Sequence, residues 1–150
     1  MQADLLIQPE NFVINNSFEE SDTSMWEITF PNGGVSSHAA IKENRSNSRT
    51  GDYSLDFWFD SPVDFEVKQT ITGLEPGFYN LSMFIQGGDA ETSDMQLFAN
   101  TSEEMLTTDT YVDGWVNWVE SELTDILVTD GTITIGATIK ANAGAWGYLR

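Results

Sequence analysis

The 150-residue sequence has no cysteine, one histidine (His38) and only six basic residues against 24 acidic ones. Each shortage closes a class of function. Without cysteine there are no thiolate metal ligands, thiol nucleophiles or disulfide scaffold. A lone histidine rules out a His-rich metal centre and argues against a nucleophilic triad. A net charge of −18 and a pI near 4.1 exclude nucleic acid and anionic membrane as partners, because both require clustered Lys and Arg. Nowhere do about 20 consecutive apolar residues occur, so no helical membrane span is expected. The opening Met1-Gln-Ala-Asp-Leu-Leu-Ile lacks the basic region and apolar run of a signal peptide, although an excised module of a secreted protein with a starting Met would look the same. An acidic globule is left, suited to neutral polymers, small uncharged ligands or hard cations such as calcium.

Apolar and polar residues alternate with a period of two. Leu55, Phe57 and Phe59 stand opposite Asp56, Trp58 and Asp60, and Phe65, Val67 and Gln69 opposite Glu66, Lys68 and Thr70. Tyr79, Leu81, Met83 and Ile85 oppose Ser82, Phe84 and Gln86. Ile133, Ile135, Ala137 and Ile139 oppose Thr134, Gly136, Thr138 and Lys140, and residues 95–99 and 116–123 show weaker forms of the pattern. Turn residues such as Thr50-Gly-Asp, Glu75-Pro-Gly and Thr129-Asp-Gly separate these runs, and all four prolines fall at run boundaries. Only Thr101-Ser-Glu-Glu-Met-Leu offers a single turn of helix. The expectation is an all-β protein: one antiparallel β-sandwich of jelly-roll, galactose-binding-domain-like type over residues 11–150, after a loose lead-in over residues 1–10.

No nucleophile elbow, zinc-binding helix motif, phosphate-binding loop or dinucleotide fingerprint is present. Carboxylates are so abundant that a glycosidase-like pair would arise by chance. The aromatics are more informative. Trp58 stands on the polar face of its strand, where a ring is either covered by a loop or left as a platform. Phe84 stands likewise, with Gln86 on its face, and Trp146 is flanked by small residues in Ala143-Gly-Ala-Trp-Gly. Exposed rings beside amide and acid groups suit sugar recognition: pyranose C–H faces stack on the ring and planar polar groups take the hydroxyls. His38 reads as a partly exposed polar residue. A second candidate is a hard cation, since carboxylate and carbonyl oxygens of Asn15-Asn-Ser-Phe-Glu19 and Thr50-Gly-Asp-Tyr53 can contribute to a six- to eight-oxygen calcium shell.

Asn15-Asn-Ser-Phe-Glu-Glu, Trp26 and Arg49-Thr-Gly-Asp-Tyr-Ser-Leu resemble the opening of the jelly-roll carbohydrate-binding modules of the family 4/9/22-like group. The stretch from Phe57 to Gly88, with Gly114-Trp-Val-Asn-Trp118 and Ala143-Gly-Ala-Trp-Gly-Tyr-Leu, is similar to family 61, whose modules accompany secreted endo-β-1,4-galactanases and bind β-1,4-galactan. The resemblance implies a non-catalytic, secreted, monomeric module that holds an attached glycoside hydrolase on this polysaccharide. It implies stacking platforms at Trp58 and Trp146, a wall at Phe84, hydrogen-bonding groups at Gln86, Glu66 and Lys140, and reserve contacts at His38 and Arg45. It also implies a structural calcium held by Glu19 and by carbonyls near Ser17, Thr50 and Tyr53, with an aspartate from the last strand. There the sequence departs from the pattern: Arg150 follows Leu149 where an acidic pair is expected, and the closing strand is shortened or replaced. Other readings are xylan or β-glucan binding, or a structural, adhesive sandwich with no sugar ligand.

Overall fold

Alternation along the chain becomes two sheets lying face to face. The computed structural model describes residues 2–5 (backbone only), 11–31, 36–44 and 48–150. Its strands are β1 (Gln2–Leu5), β2 (Glu27–Thr29), β3 (Ala39–Glu43), β4 (Tyr53–Trp58), β5 (Val63–Ile71), β6 (Gly77–Gly88), β7 (Asp94–Asn100), β8 (Met105–Thr110), β9 (Gly114–Val128), β10 (Ile133–Ala141) and β11 (Trp146–Leu149). A short 3-10 turn, Ser36–His38, leads into β3. One sheet runs β6-β11-β4-β3, with β9 and β1 also paired to β6; the other runs β2-β5-β10-β7-β8. All pairings are antiparallel. The architecture is the expected all-β sandwich.

The inward residues are those the alternation assigns inward. Leu55, Phe57, Leu81, Met83 and Ile85 of the first sheet meet Phe65, Val67, Leu97, Ile135 and Ile139 of the second, all buried. Each such side chain stabilises the fold by about 1.5–3 kcal/mol relative to exposure. Gln69, also inward, is buried because its amide is fully used: Oε1 accepts the Ile14 N–H at 2.8 Å and Nε2 donates to the Ile14 carbonyl at 2.9 Å. It anchors the segment before β2 to the second sheet.

Two expectations are corrected. Gln2–Leu5 is not a loose lead-in but β1, paired with Tyr79–Ser82 of β6. The cause lies in the length of β6. β9 covers one edge, while β11 covers only Ile85–Gly88 of the other before Arg150 and Phe84 exchange backbone hydrogen bonds. Further along, β6 still offers N–H and C=O groups that need partners, and β1 supplies them. Likewise, Thr101–Leu106 is no helical turn: the Thr101 hydroxyl accepts the N–H groups of Glu103 and Glu104, and β8 starts at Met105.

β6 and β9 fall out of register at Gln86. Ile85 pairs with Val119 and Gly87 with Gly114, so residues 115–118 bulge out opposite Gln86 alone. Val116 there has φ of 68°, a conformation that costs a β-branched residue energy. The buried Gln86 holds the bulge by accepting the Val116 N–H on Oε1.

Candidate functional site

The outer face of the first sheet carries three same-face rows across β4, β11 and β6. The first is Trp58, Trp146 and Gly88; the second Asp56, Tyr148 and Gln86. Arg150 and Phe84 belong to the third, beside Ser54. Trp58 and Trp146 are direct cross-strand partners, as both platform assignments require. Trp58 is 55% exposed.

Trp146 is laid flat by its neighbours. A Cβ on Gly88 would lie 3.1–3.2 Å from three atoms of the indole, so glycine is what lets the ring rest on the strand. Its Nε1–H donates to Asp89 Oδ2 at 3.1 Å, and Asn142 Nδ2 holds the Asp89 carbonyl at 2.7 Å. Tyr148 packs beside it at a steep angle, with ring centroids 5.9 Å apart. Trp146 also borders a cleft of about 440 Å³ whose lining includes Asp89, Glu91 and Asp113. Flat apolar ring and carboxylate acceptors thus adjoin, the combination that reads a polyhydroxylated ring.

In the second row burial pushes the Asp56 carboxyl above its ordinary range, against hydrogen bonds from Ser54 and Asn44 and the charge of Lys42. Burial, and then the Asp56 charge, raise the Tyr148 phenol against its hydrogen bond with Asn44. The bulge places Trp115, 61% exposed, next to Gly114 at the edge of the same cleft.

Other assigned residues fall elsewhere. Glu66 and Lys140 point outward as expected, but from β5 and β10 of the second sheet, on the opposite side of the sandwich. Neither reaches a ligand lying on Trp58 and Trp146; Glu66 pairs instead with Lys68 at 3.4 Å. Phe84 shares the sheet face but stands four residues along β6 from Gly88, about 13 Å at 3.3 Å per residue. Arg49 covers its ring, 3.6 Å above the centroid, so it is no open wall. His38 is buried rather than partly exposed, 4.5 Å from Phe59 and 6.4 Å from Phe30 between centroids. Gln86 is in the right row, with its amide engaged in holding the bulge. Arg45 lies outside the described residues. Of the cation candidates, Glu19 Oε1 accepts the Tyr53 N–H at 2.9 Å, and Ser17 and Thr50 line an adjoining cavity of about 270 Å³.

The signals for the missed residues were faint but physical. Gly87-Gly88 at a strand end marks close approach of another group, which is Trp146. Asp89 follows directly, in a left-handed conformation at φ of 56° that aims its carboxylate back at the indole.

The fold and this face define the class: an all-β sandwich with the fold of carbohydrate-binding modules. The chain is similar to the structure of TmCBM61 in complex with β-1,4-galactotriose, with a TM-score of 0.83 and 24% identity over 93% of this chain and 94% of that one. It is also similar to the CBM22-1 xylan-binding domain of Paenibacillus barcinonensis Xyn10C (TM-score 0.56, 12% identity, 89% and 86% covered). A family 16 carbohydrate-binding module gives a TM-score of 0.57 at 11% identity, with 93% and 95% covered. No protein-family model and no curated protein matches the sequence.

Proposed function

We propose that this chain is a non-catalytic module that binds a neutral plant polysaccharide, β-1,4-galactan, on the outer face of the first sheet. The observation that carries the reading is the cross-strand pair of exposed Trp58 and half-buried Trp146, with the carboxylates of Asp89, Glu91 and Asp113 lining the cleft that Trp146 borders. Sugar rings stack on the indoles and their hydroxyls donate to the carboxylates. The likeness to a module solved with β-1,4-galactotriose favours galactan over xylan or β-glucan. A secreted, monomeric module attached to a glycoside hydrolase is the setting in which such a site acts, concentrating the enzyme on its substrate.

Affinity electrophoresis in gels containing galactan, xylan or β-glucan tests this. Retardation in galactan alone is the expected result, reduced by Trp58→Ala and by Trp146→Ala. Retardation in xylan or β-glucan alone would reassign the ligand, and none in any gel would end the sugar-binding reading. Release of reducing sugar from galactan would show an enzyme instead.

A further inference from the structure

The calcium implied by the family resemblance meets an obstacle in this chain. Glu19 and the Tyr53 carbonyl do converge, but at their meeting point stands the Arg150 guanidinium. Its Nη1 donates to Glu19 Oε1 at 2.8 Å and to the Tyr53 carbonyl at 3.0 Å. The same carboxylate oxygen accepts the N–H groups of Asp52 and Tyr53, each at 2.9 Å. Gly51, with φ of +69°, closes over it: a Cβ there would lie 2.2 Å from Oε1. Calcium takes about six to eight oxygens at 2.3–2.6 Å. Among the described residues no three His, Cys, Asp or Glu side chains gather in a way that would hold a metal. The residues present do not fit the ion, because a permanent positive charge occupies the position between its two nearest oxygen ligands.

We propose that Arg150 is the built-in cation of this site, bridging Glu19 and the Tyr53 carbonyl so that the fold needs no calcium. The guanidinium does mechanically what an ion would do: it ties the loop carrying Glu19, the turn before β4 and the end of β11 into one corner. Its side chain is only 11% exposed, and the two N–H groups of the single Nη1 serve both oxygens. The Glu19 carboxyl responds accordingly. Partial burial alone would raise it, but the hydrogen bonds from Arg150, Tyr53 and Asp52 and the Arg150 charge hold it below the ordinary range.

The test is thermal unfolding of wild type and Arg150→Gln, each in millimolar calcium and in excess chelator, with calcium binding followed by calorimetry. Wild type is expected to unfold at the same temperature in both conditions and to give no calcium heat. Arg150→Gln is expected to lose about 3–12 °C, the range for one charge-assisted hydrogen-bonded contact in a domain this size. A wild-type Tm that rises with calcium or falls with chelator overturns the proposal, as does an Arg150→Gln Tm equal to wild type. Should that variant not fold, Glu19→Gln replaces it: it removes the carboxylate charge that Arg150 meets but keeps the shape of the side chain. A smaller drop is then expected, and no drop overturns the assignment.

Discussion

Replacing Trp58 by alanine should weaken galactan binding about tenfold and leave the fold intact. A tryptophan side chain offers roughly 200 Å² of surface, so at 55% exposure Trp58 leaves about 110 Å² open. One sugar ring covering half of that removes about 55 Å² from water, on the order of 1.4 kcal/mol at about 25 cal/mol per Å². That free energy corresponds to about a factor of ten in Kd. Stability should change less than for a core residue, since Trp58 lies outside the core cluster. Calorimetric titration with soluble galactan reads the affinity and a melting curve reads the fold. Gly88→Ala supplies the complementary perturbation. It keeps both indoles but puts a methyl group 3.1–3.2 Å from three atoms of Trp146, so the ring must give by a few tenths of an ångström and its hydrogen bond to Asp89 is disturbed. Affinity should fall there too, with no aromatic removed. If both variants bind within twofold of wild type, the paired-indole platform is wrong. If Trp58→Ala loses Tm rather than affinity, the ring is structural.

Two other outcomes follow from buried and paired groups. Gln69→Leu removes both hydrogen bonds to the Ile14 backbone, and at roughly 0.5–1.5 kcal/mol net for each the Tm should fall by a few degrees in a melting experiment. For Glu19 the folded-state pKa is lowered, so its stabilisation is complete well above the reference value of 4.5 and is lost as pH falls below it. With a net charge of −18, general acidification also relieves repulsion and acts in the opposite direction, so the quantity to measure is the Tm gap between wild type and Arg150→Gln. That gap should close between pH 7 and pH 3, and a constant gap would show that Glu19 is not the partner that matters.

In-or-out orientation was legible in the sequence because it depends only on the period of the pleat: Leu55 inward and Trp58 outward follow from their immediate neighbours. Sheet membership was not legible, and this is why Glu66 and Lys140 were assigned to a site they do not share. Whether β10 lies beside β5 and β7 or beside β6 is decided by pairings tens of residues apart, and an outward side chain looks the same on either sheet. The bulge escaped for a related reason. Residues 116–123 alternate well enough to read as one strand, yet the register breaks where the single residue Gln86 faces four, and no local pattern announces that. His38 shows the limit of composition, since its burial comes from Phe30 and Phe59 rather than from the alanines beside it.

β11 joins the site to the corner held by Arg150. The strand is only four residues long, with the platform residue Trp146 at its start and Arg150 just after its end. A strand this short has few ladder hydrogen bonds with which to hold register against β4 on one side and β6 on the other. Register matters here because a slip of one residue would turn Trp146 inward and Gly147 outward. Gly147 cannot be exchanged for a larger residue, as a Cβ there would lie 2.4 Å from the Phe57 ring. The backbone pair between Arg150 and Phe84, and the guanidinium bridge to Glu19 and Tyr53, therefore pin the strand at the end away from the indole. On the proposed function, a sugar stacked on Trp146 would pull on a strand fixed at both ends: by Asp89 and Gly88 beside the ring at one, and by the Arg150 bridge to Glu19 and Tyr53 at the other.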